Sequence, residues 1–121
     1  MKEYGKKTWL IADCFYPAVS TVAKSHEAIC VLNTGLKEAQ ITLTLYFEDA
    51  SKRIFRTVCP GERTHHIRMD KLVDENGEGV PSEKPYAVLV ESTCPIVAQY
   101  SRLDTSAGNE ALCTTMAFPA E

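Results

Sequence analysis

No run of apolar residues in this 121-residue chain approaches the roughly 20 that a membrane-spanning helix needs. Met1-Lys2-Glu3-Tyr4-Gly5-Lys6-Lys7 leads into no long apolar signal core, so no secretory leader is expected. The five cysteines are odd in number, and no two form a C-x-x-C pair. That usage fits free thiols in a reducing cytoplasm, the expected location, better than a secreted disulfide framework. A basic excess is also missing: the formal net charge is −3, which argues against a dedicated nucleic-acid binder. There is no glycine-rich phosphate loop, nucleophile elbow or H-E-x-x-H spacing, so neither an enzyme nor a bound cofactor is expected.

What remains is ordinary globular material, 45% hydrophobic and 24% charged, long enough to bury a core as one domain over residues 1–121. Alternation dominates it. Ala39, Ile41, Leu43, Leu45 and Phe47 share one face of a strand, while Gln40, Thr42, Thr44 and Tyr46 share the other. Glu48-Asp49-Ala50-Ser51 turns the chain and residues 53–58 return it as a hairpin. Residues 8–12, 25–33, 64–69, 86–91, 96–103 and 111–118 read as further strands, with Cys14-Phe15-Tyr16-Pro17 breaking the first. Ser92-Thr93-Cys94-Pro95 reads as a turn, and 70–85 as an acidic loop with one helical turn near Met69–Leu72. The expected fold class is all-β, a single-domain antiparallel β-sandwich of about eight short strands. Segments 28–32, 87–90 and 96–98 are apolar on both faces, and covering the second face between subunits predicts a homo-oligomer.

The stretch Ser25-His26-Glu27 running into Ala28–Asn33 concentrates the functional signal. Period-two geometry puts His26 on the face of Ala28, Cys30 and Leu32, and Glu27 on the face of Ile29 and Val31. His26 and Glu27 together supply donors and acceptors for a ligand's hydroxyls, or they pin the strand start structurally. His66 and Arg68 share a face with Thr64, a combination suited to a carboxylate, phosphate or sugar oxygen. Gln99 shares a face with Val97 and Leu103 and reads as a pocket residue. Arg102, with Ile96, Ala98 and Tyr100, reads as structural or interfacial, with an ion pair to Asp104 as one such role. Trp9, the only tryptophan, serves either as a core anchor or as a wall against which a sugar ring stacks. His65 and His66 point apart on a strand, and His26, Glu27 and His66 lack metal-site spacing, so no metal is predicted.

Several pieces in register carry a resemblance: Trp9-Leu10-Ile11-Ala12, Ser25-His26-Glu27 with Cys30-Val31-Leu32-Asn33, and 41–47. Arg63-Thr64 with His66 and Arg68, then Pro95-Ile96-Val97 with Gln99 and Arg102-Leu103-Asp104, complete it. Across nearly its whole length the chain resembles the sensory rhodopsin transducer family. It departs from that pattern at Asp13-Cys14, where Glu-Gly is expected, and at His65, where Lys is expected. The resemblance implies a β-sandwich assembling as a homotetramer, a signalling role, and a wider grouping that binds small molecules, carbohydrates among them. The expected ligand is a small polar molecule, a sugar or organic acid, held by Trp9, His26, Glu27, His66, Arg68 and Gln99. The alternatives are a ligand-free transducer docking on a membrane receptor such as a sensory rhodopsin, and a weak DNA-binding regulator using Lys2, Lys6, Lys7, Arg53 and Arg56.

Overall fold

A computed structural model describes residues 3–120. They form eight strands and no helix: β1 (Lys6–Phe15), β2 (His26–Asn33), β3 (Ala39–Phe47), β4 (Arg53–Cys59), β5 (Arg63–Arg68), β6 (Pro85–Asp104), β7 (Ala111–Met116) and β8 (Phe118–Ala120). All ladders between them are antiparallel. One sheet, here sheet A, runs β4-β3-β6-β1-β8; the other, sheet B, runs β5-β2-β6-β7. The all-β sandwich expected from the alternation is the architecture found.

The 20-residue β6 belongs to both sheets and corrects the expectation of two strands parted by a turn. Its first half pairs with β1 and β3, its second with β2 and β7. The hand-over falls at Ser92–Pro95, where Ser92 Oγ accepts from Cys94 N at 3.2 Å and Thr93 Oγ1 accepts from Gln40 N at 2.9 Å. Hydroxyls thus replace carbonyl acceptors where the ladder changes partner, and a proline, lacking an N–H, fits there. The expected strand 111–118 likewise divides. β7 pairs with β6 in sheet B and β8 with β1 in sheet A, with buried Ala117 crossing between them.

The core lies between the sheets. Ile41, Leu43 and Leu45 from β3 meet Ile29 and Val31 from β2, with Phe55, Ile67, Val88, Val90 and Ile96 filling the space. β1 runs past the expected break because its register shifts between Ile11 and Cys14, leaving Ala12 and Asp13 exposed and turning Cys14 back into the core. At the far end of β2, buried Asn33 closes the turn: its Oδ1 accepts from Gly35 N at 3.0 Å, and its Nδ2 donates to Lys37 O at 2.8 Å and Cys59 O at 3.1 Å. Residues 69–72 make only an isolated turn, closed by Leu72 N donating to Arg68 O at 3.1 Å.

Candidate functional site

The alternation of β2 sorts the predicted residues into two groups. Glu27 pairs with Arg102, Ile29 with Tyr100 and Val31 with Ala98, and this set faces the core. His26 pairs with Leu103, Ala28 with Ser101 and Cys30 with Gln99, and this set faces outward. On the other side of β2, Ala28 lies opposite Arg68, Cys30 opposite His66 and Leu32 opposite Thr64. His66, Cys30, Gln99 and Met116 therefore form one row across the outer face of sheet B. Arg68, Ala28, Ser101 and Thr114 form the next row.

Four predicted site residues, His26, His66, Arg68 and Gln99, thus come together on one face. His26 Nδ1 donates to Lys24 O at 2.9 Å, which leaves Nε2 as the acceptor of the neutral ring. No hydrogen bond engages the His66 or Gln99 side chain among the described residues, so both retain donor and acceptor capacity. Arg68 is more committed. Its Nε and one terminal nitrogen each donate to the Asp70 carboxylate at 2.8 Å. Burial pushes the Asp70 carboxyl up, but the bonds and charge of Arg68 outweigh it and hold the group below its ordinary range, with His26 adding a smaller pull. Asp70 completes this corner and was hidden in the sequence as the first residue of a loop.

Glu27 and Trp9 lie apart from that face, in the interior. Trp9 is a buried core residue whose Nε1 donates to Lys6 O at 3.0 Å and Ile96 O at 3.1 Å, so its ring offers no platform to a sugar. Glu27 is fully buried and joins the two sheets. Its carboxylate accepts from the hydroxyls of Tyr86 and Tyr100 and from Phe15 N at 3.1 Å. Desolvation pushes its pKa up against the pull of those donors and of Arg102. Burial and the Glu27 charge raise both tyrosines and the neighbouring Cys14 thiol. Arg102 donates to the Tyr100 hydroxyl at 3.0 Å and approaches Asp13 at 3.9 Å, its guanidinium 5.6 Å from the Tyr100 ring centre. The anticipated Arg102–Asp104 pair is not made: Asp104 instead accepts from Ser106 N at 2.9 Å and Oγ at 2.6 Å. Tyr86 and Tyr100 escaped the sequence reading, although both have inward parity on β6.

A cleft of about 260 Å³ lies at the other end of β2, lined by Tyr4, Asn33, Leu36, Lys37, Cys94 and Pro95 among others, and none of the predicted residues borders it. Among the described residues no cluster of three metal-ligating side chains occurs. The basic residues considered for DNA lie on separate elements. Arg53 is tied to Asp74 at 2.7 Å and to Gly79 O at 2.8 Å, Lys6 and Lys7 sit at the start of β1, and Lys2 lies outside the described residues. No helix of the described residues is long and apolar enough to cross a membrane.

Comparison with curated proteins gives no match. Solved structures are similar, among them the following two. Thermotoga maritima 1070 shares 33% identity at a TM-score of 0.87, covering 97% of this chain and 97% of that one. The Anabaena sensory rhodopsin transducer shares 30% identity at a TM-score of 0.75, covering 85% of this chain and 92% of that one. The family model described as Anabaena sensory rhodopsin transducer matches residues 4–119, and with the two-sheet sandwich already in view, the chain belongs to that family.

Proposed function

We propose that the chain is a non-enzymatic, cytoplasmic signalling protein whose input is a small polar ligand held on the outer face of sheet B. The observation that carries this reading is the row His66, Cys30, Gln99, where an imidazole and an amide without intramolecular bonds stand in register. His26 Nε2 and the Ser101 hydroxyl flank them. Because Asp70 already occupies the Arg68 fork, hydroxyl-rich ligands such as sugars suit the face better than organic acids. The five cysteines remain free, in keeping with a reducing compartment.

Assembly as a homotetramer belongs to the same proposal. Ile54, Thr44, Leu89, Leu10 and Phe118 form a mostly apolar row across the outer face of sheet A, the kind of surface a neighbouring subunit covers. A second reading is favoured because the 260 Å³ cleft is lined by other residues, while small-molecule sites are usually concave. In it the same residues dock on a membrane receptor such as a sensory rhodopsin.

A thermal-shift screen of sugars and organic acids separates the two. A ligand at one hundred times its Kd adds about 2.7 kcal/mol of stability. His66→Ala and Gln99→Ala should abolish that shift while leaving the unliganded melting temperature in place, because neither side chain is in the core. If no sugar or acid shifts the melt, and rhodopsin-bearing membranes sediment the wild type but not His66→Ala, the docking reading replaces the first.

A further inference from the structure

The cleft at the far end of β2 is built from three backbone segments, each held by contacts of its own. β6 passes from one sheet to the other at Ser92–Pro95, and Cys94 and Pro95 border the opening. Gly5 brings the chain ahead of β1 against that segment: its φ is +98°, and a Cβ there would overlap the Ile96 carbonyl. Glu3 and Tyr4 are thereby carried to the cleft. The turn after β2 supplies the remaining wall. It is fixed by the bonds of the Asn33 side chain, by Glu62 N donating to Gly35 O at 2.8 Å, and by the close approach of Gly61 to Leu36 O. The cleft therefore exists before anything enters it. Tyr4 and Leu36, exposed to 53% and 65%, border it together with Pro95. Its charged lining residues are Glu3 and Lys37, one of each sign, and among the described residues no ion pair engages either.

We propose that this cleft binds a free α-amino acid with a large apolar side chain. Its volume of about 260 Å³ lies just below the roughly 300–1,000 Å³ of sites for drug-sized ligands, which suits one side chain and its head group. A zwitterion brings a carboxylate for Lys37 and an ammonium for Glu3, and its side chain covers Tyr4, Leu36 and Pro95 from water. The other classes of small ligand match only part of this lining. A simple carboxylate would meet Glu3 as a like charge, and a simple amine would meet Lys37 as one. A sugar offers neither charge. The cleft is separate from the His66–Gln99 face, so the amino-acid site does not depend on what that face binds.

Three cysteines make the test local. Cys94 is half-buried at the cleft, Cys30 stands in the His66–Gln99 row, and Cys113 is exposed on β7, so alkylation of each thiol reports a different place. The full chain is treated with iodoacetamide in rising L-phenylalanine or L-leucine, up to about 10 mM because a small open site binds weakly. Labelling is mapped by peptide mass, and equilibrium dialysis measures binding of the same two amino acids. Both should bind and slow the labelling of Cys94 several-fold, leaving Cys30 and Cys113 unchanged. Glycine, 3-phenylpropanoate and phenethylamine each lack one of the three recognised parts and should bind about tenfold more weakly or worse. Lys37→Glu should weaken phenylalanine by a similar factor. Its melt should match the wild type, because Lys37 closes the turn through its carbonyl and not its side chain. No binding in dialysis, equal binding of 3-phenylpropanoate, binding that survives Lys37→Glu, or protection of Cys30 in place of Cys94 would each overturn the proposal. The last outcome would place the amino acid on the outer face of sheet B.

Discussion

Glu27→Ala removes the acceptor that two buried phenols share. Among the described residues Tyr86 has no other acceptor for its hydroxyl hydrogen, whereas Phe15 N keeps a second acceptor in the Tyr100 hydroxyl at 3.3 Å. Each stranded buried donor costs about 1–3 kcal/mol, so the two phenols together cost about 2–6 kcal/mol. For a chain of this length roughly 4 °C of melting temperature is lost per kcal/mol, giving a fall of about 8–24 °C. Glu27→Gln separates hydrogen bonding from charge. The amide oxygen still accepts from one tyrosine, its NH2 can donate to the other phenolic oxygen, and the cost of burying a carboxylate disappears. At a pH of about 8 the glutamine variant, which strands one phenol hydrogen but sheds the buried carboxylate, should therefore melt above the alanine variant, which strands both. The pH dependence supplies the second readout. Glu27 has its pKa raised in the folded state from an ordinary 4.5. The native protein then takes up this proton at a higher pH than the unfolded chain, and the stability so gained is full below 4.5 and lost as pH rises through the folded value. Melts of wild type and Glu27→Gln should accordingly shift in the wild type's favour as pH falls from neutral. An alanine variant melting within about 2 °C of wild type, or a wild-type-to-glutamine gap indifferent to pH, would refute the reasoning.

A Cβ at Gly61 would sit 2.2 Å from Leu36 O, a backbone atom, so Gly61→Ala should cost about 1–3 kcal/mol in urea unfolding through displacement of the packed turns. Asp70→Asn frees the Arg68 fork and should destabilise at neutral pH. Because the Asp70 pKa lies below its ordinary 3.8, the gap to wild type should close in acid melts as pH falls below that value. Thr105→Val should destabilise the 16–25 loop, since the buried Thr105 hydroxyl accepts from Thr21 N at 3.0 Å and donates to Ala23 O at 2.6 Å. Faster proteolysis near Val19 and Val22 would report it.

How much of this was legible depends on how local each signal is. The strict alternation of Ile41, Leu43 and Leu45 names its own core face, and the parity of β2 by itself separates His26 from Glu27. Asn33-Thr34-Gly35 has the composition of a turn, and the asparagine side chain closes it. Features that depend on partner exchange were not readable. Ser92–Pro95 has turn composition, yet the strand continues because its neighbours change there. The same exchange at Ala117 splits an apparently uniform apolar segment. Cys14 was misplaced because a bulge reverses parity, and nothing in Ile11-Ala12-Asp13-Cys14 marks it. Tyr86 and Tyr100 lie 59 and 73 residues from Glu27, so their convergence on one carboxylate exists only in the folded topology.

The two faces of β2 also divide the labour of the protein. Inward residues Glu27, Ile29 and Val31 hold the sheets together, and outward residues His26, Cys30 and Leu32 meet whatever approaches sheet B. A contact made outside can reach the interior only through the backbone of β2 and its neighbours, since no side chain bridges the two sides of a strand. The closest such link is Met69 N, which donates to Glu27 O at 3.0 Å one residue before Asp70 holds Arg68. A ligand that shifts the Arg68–Asp70 corner therefore pulls on the peptide carrying Glu27, and binding energy transmits only so far as the two positions of that peptide differ in affinity for it. Glu27→Gln should leave the affinity of the outer face within a factor of about two if the corner is rigid, and change it further if the corner moves. Titration of one ligand against both proteins measures that coupling directly.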